Sequence, residues 1–233
     1  MNDNGKWNKN NIPDLSGRIA IVTGANSGIG YEIARLLAWR GARVIMACRN
    51  LEKAEVAKEK MQKTITLGSL EVMELDIGDF ESTRRFADEF MAAYSSLDII
   101  IHNAAIMTNR FQLNADNLDL VIATNYLGPF ALTGLLLNRL IRIKNSRVVG
   151  VTSGAFRMSK LKNFDSWMQE DTYSSFGRYN DSKLAMLTFI FELQRRLEKS
   201  NASTIAVAAH PGGVNTTLMH DLGFFPHVFF QKS

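Results

Sequence analysis

Tyr179 and Lys183 stand four positions apart in a stretch whose apolar spacing predicts a helix over Arg178–Lys199. At i and i+4 on a helix the two side chains share one face. A phenol with an unperturbed pKa of about 10 exchanges protons poorly near neutrality. A neighbouring ammonium favours the phenolate and draws that pKa down, which makes the phenol a usable acid for carbonyl reduction or base for alcohol oxidation. A second group of residues points to a cofactor. The string TGANSGIG places glycines at 24, 28 and 30 directly after an apolar run and before a helical pattern. Backbone there must turn sharply, approach a pyrophosphate closely and offer free amides with the positive end of a helix dipole. At the end of the second apolar run stands Arg49, with no Asp or Glu beside it. A ribose 2′-hydroxyl is read there by an acid and a 2′-phosphate by a cation, so NADP(H) is expected over NAD(H).

The elements that must position these groups read clearly. Six short, nearly continuously apolar runs predict strands buried on both faces: Arg18–Thr23, Ala42–Cys48, Ser69–Leu75, Leu97–His102, Arg147–Thr152 and Thr204–His210. Amphipathic segments alternate with them: Ile29–Arg40, Leu51–Lys63, Phe80–Tyr94, Asn125–Ile143 and Arg178–Lys199. Strand–helix–strand units with right-handed crossovers give an α/β fold, a doubly wound parallel sheet of Rossmann type in a single domain. Ligands then bind beyond the carboxyl ends of the strands. Residues 1–16 are polar and Asn-rich and read as a loose arm before a domain spanning 17–233.

Composition fits this. The chain has 233 residues, 46% hydrophobic and 21% charged, enough for one sizeable core. Its net charge of +4, without a Lys/Arg block, argues against a nucleic-acid partner. The single cysteine, Cys48, excludes an intrachain disulfide and reads as a small packed hydrophobe. No apolar leader and no transmembrane stretch are evident, so a cytoplasmic setting is expected. His102 reads as a packed histidine, and His210, His220 and His227 lack metal-ligand spacing, so no metal is expected.

The glycine spacing, TGxxxGxG, resembles that of the short-chain dehydrogenase/reductase family. Further motifs follow in the family's order over about residues 17–216: Asp76 in LDIGD, Asn103-Ala104-Ala105 where the family has NAG, Asn125, Ser153 in VTSGA, Tyr179 with Lys183, and PGGVNT from Pro211 to Thr216. The string ACRN and the glycine turn are similar to the retinol-dehydrogenase-like branch. The resemblance implies an oxidoreductase interconverting a carbonyl and an alcohol, on a lipophilic small molecule. It implies a catalytic set of Asn125, Ser153, Tyr179 and Lys183. Ser153 would hold the substrate oxygen, Lys183 would also bind the nicotinamide ribose, and Asn125 would hold a water relaying protons. Asn125 also suits a helix N-cap. Cofactor contacts are implied at Gly24, Asn26, Ser27, Gly28, Ile29, Gly30, Arg49, Asp76, Ile77, Asn103, Ala104, Tyr179, Lys183, Pro211, Gly212, Val214 and Thr216. Asp76 would bond the adenine amino group, or else simply start a helix.

Two departures stand out. Ser153 and Tyr179 are 26 positions apart, about twice the separation in many members. The extra stretch is expected over the site as a loop or short helix, with Phe156, Trp167 and Phe176 either lining an apolar pocket or packing on the body. Only 17 residues follow Thr216, so the family's final strand is expected to be missing. The aromatics of GFFPHVFFQKS would cap the pocket, meet a partner or make peripheral membrane contact. A homo-oligomer is compatible with the resemblance. The rival expectation from another class is a non-catalytic NADP(H)-binding sensor or interaction module.

Overall fold

The computed structural model describes residues 8–161 and 163–212. The expected Val214 and Thr216 contacts and the aromatic C-terminus lie outside them. Six strands form one parallel sheet: β1 (Ile19–Thr23), β2 (Arg43–Cys48), β3 (Ser69–Glu74), β4 (Ile99–His102), β5 (Arg147–Val151) and β6 (Ile205–Ala209). Their spatial order is β3-β2-β1-β4-β5-β6. The order reverses between β1 and β4, which pair through Ala20–Ile99, Ile21–Ile100 and Val22–Ile101, and a crevice opens there beyond the strand ends.

Helices cover both faces. Helices α1 (Gly28–Trp39) and α2 (Leu51–Gln62) bury Ala34, Ala38, Ala54 and Ala57 against Ala20, Val22, Val44 and Met46. Small residues let these helices lie close to the strands. On the opposite face α3 (Phe80–Ala93), α4 (Leu120–Ile141) and α5 (Ser175–Lys199) pack Phe86, Phe90, Leu132, Leu136 and Ile190 onto Ile21, Ile45, Ile100 and Val148. Alternate residues of one strand thus serve two separate cores. The starts of α2, α3 and α5 are capped by side chains: Asn50 accepts from the Lys53 amide, Asp79 from Glu81 and Ser82, and Ser174 from Gly177.

Three expectations need correction. Helix α4 starts at Leu120, not Asn125, because Asp119 caps it by accepting from the Ile122 amide at 2.9 Å. Residues Ala123–Leu127 form a π-helical turn inside it, closed by the Gly128 amide donating to the Ala123 carbonyl. Pro129 follows, cannot donate to the Asn125 carbonyl and crowds it, and a widened turn relieves that conflict. Asn125 is therefore an interior residue rather than a cap. Second, α4 is long and apolar enough to cross a membrane by length and composition, although 56% of its most apolar window is buried within the fold. Third, residues 8–16 are not loose. The Leu15 amide donates to the Arg40 carbonyl, Arg40 Nε donates to the Pro13 carbonyl, and Leu15 packs on the α1–α2 core.

Candidate active site

The glycine turn leaves β1 at Gly24 and enters α1 at Gly28. Its glycines serve different needs. A Cβ on Gly30 would sit 2.3 Å from the Gly24 carbonyl oxygen and 2.5 Å from Asn103 Nδ2, so Gly30 lets the helix close onto the turn. Gly28 has φ +56°, and a Cβ there would meet nothing within 4 Å. Its conformation favours glycine, and the space above it is open to a ligand. Ser27, the N-cap of α1, makes no capping bond with its side chain and is exposed. Asn26, Ser27 and Gly28, with Tyr31, Lys53 and Lys60, border an open groove of about 810 Å³ between α1 and α2.

Asn103, after β4, holds this turn in shape. Its Nδ2 donates to the Thr23 carbonyl at 3.0 Å, and its amide and that of Ala104 both donate to Thr23 Oγ1 at 3.0 Å. Thr23, the buried last residue of β1, is a supporting residue that the glycine spacing did not single out. Its position one residue before Gly24 was the available signal.

Arg49 and Asp76 meet at the ends of β2 and β3. Arg49 Nη1 lies 3.5 Å from Asp76 Oδ2, and the arginine side chain is 69% exposed. Asp76 Oδ1 accepts from the Gly78 amide, and the helix start is taken by Asp79 instead. Ile77 is buried in the core, so only its backbone is placed to touch a cofactor. Ile29 is half-buried within the first turn of α1. Pro211 and Gly212 follow β6 and are exposed, and β6 pairs with β5, so they lie on the Ser153 side of the crevice.

The expected catalytic group converges from β5, α4 and α5. Tyr179 and Lys183 lie one turn apart on α5, 9% and 3% exposed. Lys183 Nζ donates to the Val151 carbonyl at 3.1 Å and sits 5.5 Å from the centre of the Tyr179 ring. Burial lowers the Lys183 pKa to about 8. Burial also raises that of Tyr179, with the Ser153 hydroxyl beside it acting in the opposite sense. The expected depression of the phenol by the ammonium is thus not seen, and removal from water sets the direction of the Tyr179 shift. Ser153 Oγ accepts from the Ala155 amide at 3.3 Å, which leaves its hydroxyl hydrogen free to donate.

Asn125 is held by both ends of its amide. Its Oδ1 accepts from the Ile106 amide at 2.8 Å, and its Nδ2 donates to the Ile106 carbonyl and to Ser182 Oγ. Ser182 in turn donates to the Tyr179 carbonyl at 2.7 Å, and Thr152 Oγ1 to that of Lys183 at 3.1 Å. Ser182 and Thr152 are buried supports of α5 that the motif reading passed over; Ser182 lay within YxxxK itself. His102 is packed as expected: its ring is buried, with Nε2 2.7 Å from Thr133 Oγ1.

The residues between Ser153 and α5 form two 3₁₀ turns, Gly154–Met158 and Asp165–Met168. Trp167 packs on the body, against Ile122, Ala185 and Tyr126, while Phe176 is half exposed. Arg157 lies over the Phe156 ring.

The sequence profile of the short chain dehydrogenases matches residues 18–223. Human retinol dehydrogenase 11 is 40% identical over 210 residues, covering 90% of this chain and 65% of the relative. Bovine retinol dehydrogenase 12 is 41% identical over 206 residues, covering 88% and 64%. The chain thus spans slightly under two thirds of these curated relatives. Among solved structures, an uncharacterized protein from Mycobacterium paratuberculosis superposes with a TM-score of 0.80 at 43% identity, covering 92% of this chain and 75% of that one. A metagenomic short-chain oxidoreductase in complex with NADP gives 0.69 at 25% identity, covering 88% and 85%. With the glycine turn, the Asn103 stitch and the Tyr179–Lys183 pair in place on this sheet, the chain belongs to the short-chain dehydrogenase family.

Proposed function

We propose that the protein is an NADP(H)-dependent oxidoreductase interconverting a carbonyl and an alcohol on a lipophilic small molecule. The observation that carries this is the meeting of Ser153, Tyr179 and Lys183 where β5 ends beside α5. The open space above Gly28 and the unengaged Ser27 hydroxyl fit a pyrophosphate. Arg49 fits a 2′-phosphate, and Asp76 and the Ile77 backbone fit the adenine side. Gly24, Asn26, Ile29, Asn103 and Ala104 shape the cradle, and Pro211, Gly212, Val214 and Thr216 would close it near the nicotinamide. When bound, the nicotinamide supplies or accepts the hydride.

The chain's own residues handle the oxygen and the proton. In the reductive direction the Ser153 hydroxyl donates a hydrogen bond to the carbonyl oxygen as negative charge builds there. Tyr179 Oη gives that oxygen its proton, leaving a phenolate beside Lys183. The ammonium stabilises that phenolate, and Asn125, fixed by Ile106 and Ser182, holds the α4 backbone where a relay water can return the proton. In the oxidative direction the phenolate takes the alcohol proton. The relatives' names as retinol dehydrogenases support a lipophilic alcohol or aldehyde.

Tyr179→Phe removes the exchangeable proton and keeps the ring. Turnover of a panel of aldehydes, ketones and alcohols, followed through the nicotinamide absorbance, should fall by about 10² to 10⁴. NADPH affinity by fluorescence should change little. Unchanged turnover in this variant removes the mechanism; tight NADPH binding with no turnover by the parent protein favours the sensor reading instead.

A further inference from the structure

We propose that Arg178 is a positioning residue that clamps the stretch between Asn163 and Ser174 over the mouth of the site. Arg178 directly precedes Tyr179 on α5 yet points elsewhere. Its side chain is 3% exposed and its Nε lies 3.4 Å from Asp119 Oδ2, itself 1% exposed. Nη2 donates to the Ser166 carbonyl at 2.9 Å, and the guanidinium lies 5.6 Å from the centre of the Tyr173 ring. Tyr173 Oη bonds Thr108, donating to its carbonyl at 2.7 Å. One guanidinium thus joins the proton-donor helix, the cap of the helix that carries Asn125, and the segment that returns from Ser153 to Tyr179. Thr108 belongs to the chain leaving β4 and the clamped segment follows β5, so the clamp ties together the chain beyond the carboxyl ends of two neighbouring strands on the Ser153 side of the crevice.

Stability alone is a poor reason for this arrangement. A buried pair at 3.4 Å gains little over its desolvation cost, and Arg178 Nη1 has no partner among the described residues. A planar fork that reaches a carbonyl, a carboxylate and a ring together is instead suited to fixing geometry. The purpose assigned to the clamp, shaping the substrate's entry, rests on the proposed oxidoreductase reading. The clamp itself rests on the contacts alone.

Removing Arg178 by itself would strand the Asp119 charge, so the test uses Arg178→Met with Asp119→Asn, which keeps a side-chain cap on α4. Glu170 is exposed in the clamped stretch and Glu59 is exposed on α2. Glutamate-specific proteolysis of the full chain should cut after Glu170 about tenfold faster in the double variant, with cutting after Glu59 unchanged. With nonanal as the carbonyl probe, KM should rise about fivefold while kcat and NADPH affinity stay within about twofold. Arg178→Lys, which keeps the charge and loses the fork, should fall between. Unaltered cleavage after Glu170 overturns the clamp. So does faster cleavage at both sites with kcat falling alongside, the mark of a merely structural residue. A parent protein inactive on every substrate would defeat the enzymatic reading and leave the cleavage result to judge the clamp.

Discussion

Arg49 illustrates how a single residue can be chemically available although it is paired. Its contact with Asp76 is long, at 3.5 Å, and the guanidinium is mostly exposed. A pair of this kind contributes about 0–1 kcal/mol and is released at little cost. A 2′-phosphate offers a stronger partner, with two oxygens matched to the fork. Arg49→Asp should therefore weaken NADPH binding by about tenfold or more, about 1.4 kcal/mol, and leave NADH binding equal or better. Fluorescence titration with both nucleotides checks this; an unchanged ratio of the two affinities would sink the phosphate assignment. At this scale the sequence was informative about local neighbours, as with Tyr179 and Lys183, which do lie one turn apart on one helix. It was silent where a side chain's partner is remote. Nothing near Asn125 announces that its amide will be held by the backbone of Ile106, 19 positions earlier. Nor does spacing alone show that burial will raise the Tyr179 pKa, because burial is a property of the packed fold.

The elements were legible where periodicity and punctuation agree. All six strands lie inside their expected runs, and α1, α2 and α3 end within a residue or so of their expected limits. The start of α4 was misplaced because Asn125, a residue that favours caps, competes in the sequence with Asp119, which actually takes that role. The π turn came from a conflict that a 3.6-residue period does not encode, between Pro129 and the carbonyl one turn before it. The glycine turn carries the prediction at this scale. Gly30→Ala drives a methyl group into the Gly24 carbonyl and against Asn103 Nδ2, which donates to that carbonyl at 3.4 Å, so relief disturbs the Asn103 stitch. It should cost about 1–3 kcal/mol of stability and lower the melting temperature by several degrees. Gly28→Ala meets no atom, and its left-handed backbone costs about 1–2 kcal/mol at most. Its larger effect should appear in NADPH affinity, because the methyl group enters the proposed pyrophosphate space. Thermal melts and NADPH titrations of both variants separate the two roles. Equal melting losses with equal affinities would refute the division.

Two buried bases place limits on the stability of the whole molecule as pH changes. His102 ends the central strand β4, and its buried ring meets Thr133 of α4. Thr133 Oγ1 donates to the Pro129 carbonyl, so His102 Nε2 must donate to Thr133, and Nδ1 is left without a hydrogen or a partner. Protonating Nδ1 would bury an unpaired N–H and a charge, and burial lowers the pKa to about 3. The unfolded chain takes up that proton near pH 6.5 while the folded chain does not, so stability falls as pH drops from 6.5 towards 3. Lys183, lowered from 10.5 to about 8, also binds its proton more weakly in the folded state. Between pH 8 and 10.5 the unfolded chain holds more protons, so stability from this group rises with pH there and is flat below 8. Cys48, raised to about 11, acts the opposite way above pH 9. It is unaltered in the variants below and cancels from each comparison. Urea unfolding should show the parent protein losing about 2 kcal/mol more than His102→Gln between pH 7 and pH 5. It should also show the parent gaining up to about 3 kcal/mol over Lys183→Met between pH 8 and pH 10.5. Parallel curves for parent and His102→Gln on the acid side would mean that the imidazole finds a partner for its second proton. Parallel curves for parent and Lys183→Met on the alkaline side would mean that the ammonium stays hydrated. That second outcome would also remove the dry setting in which a proton can pass between Tyr179 and its substrate with little competition from water.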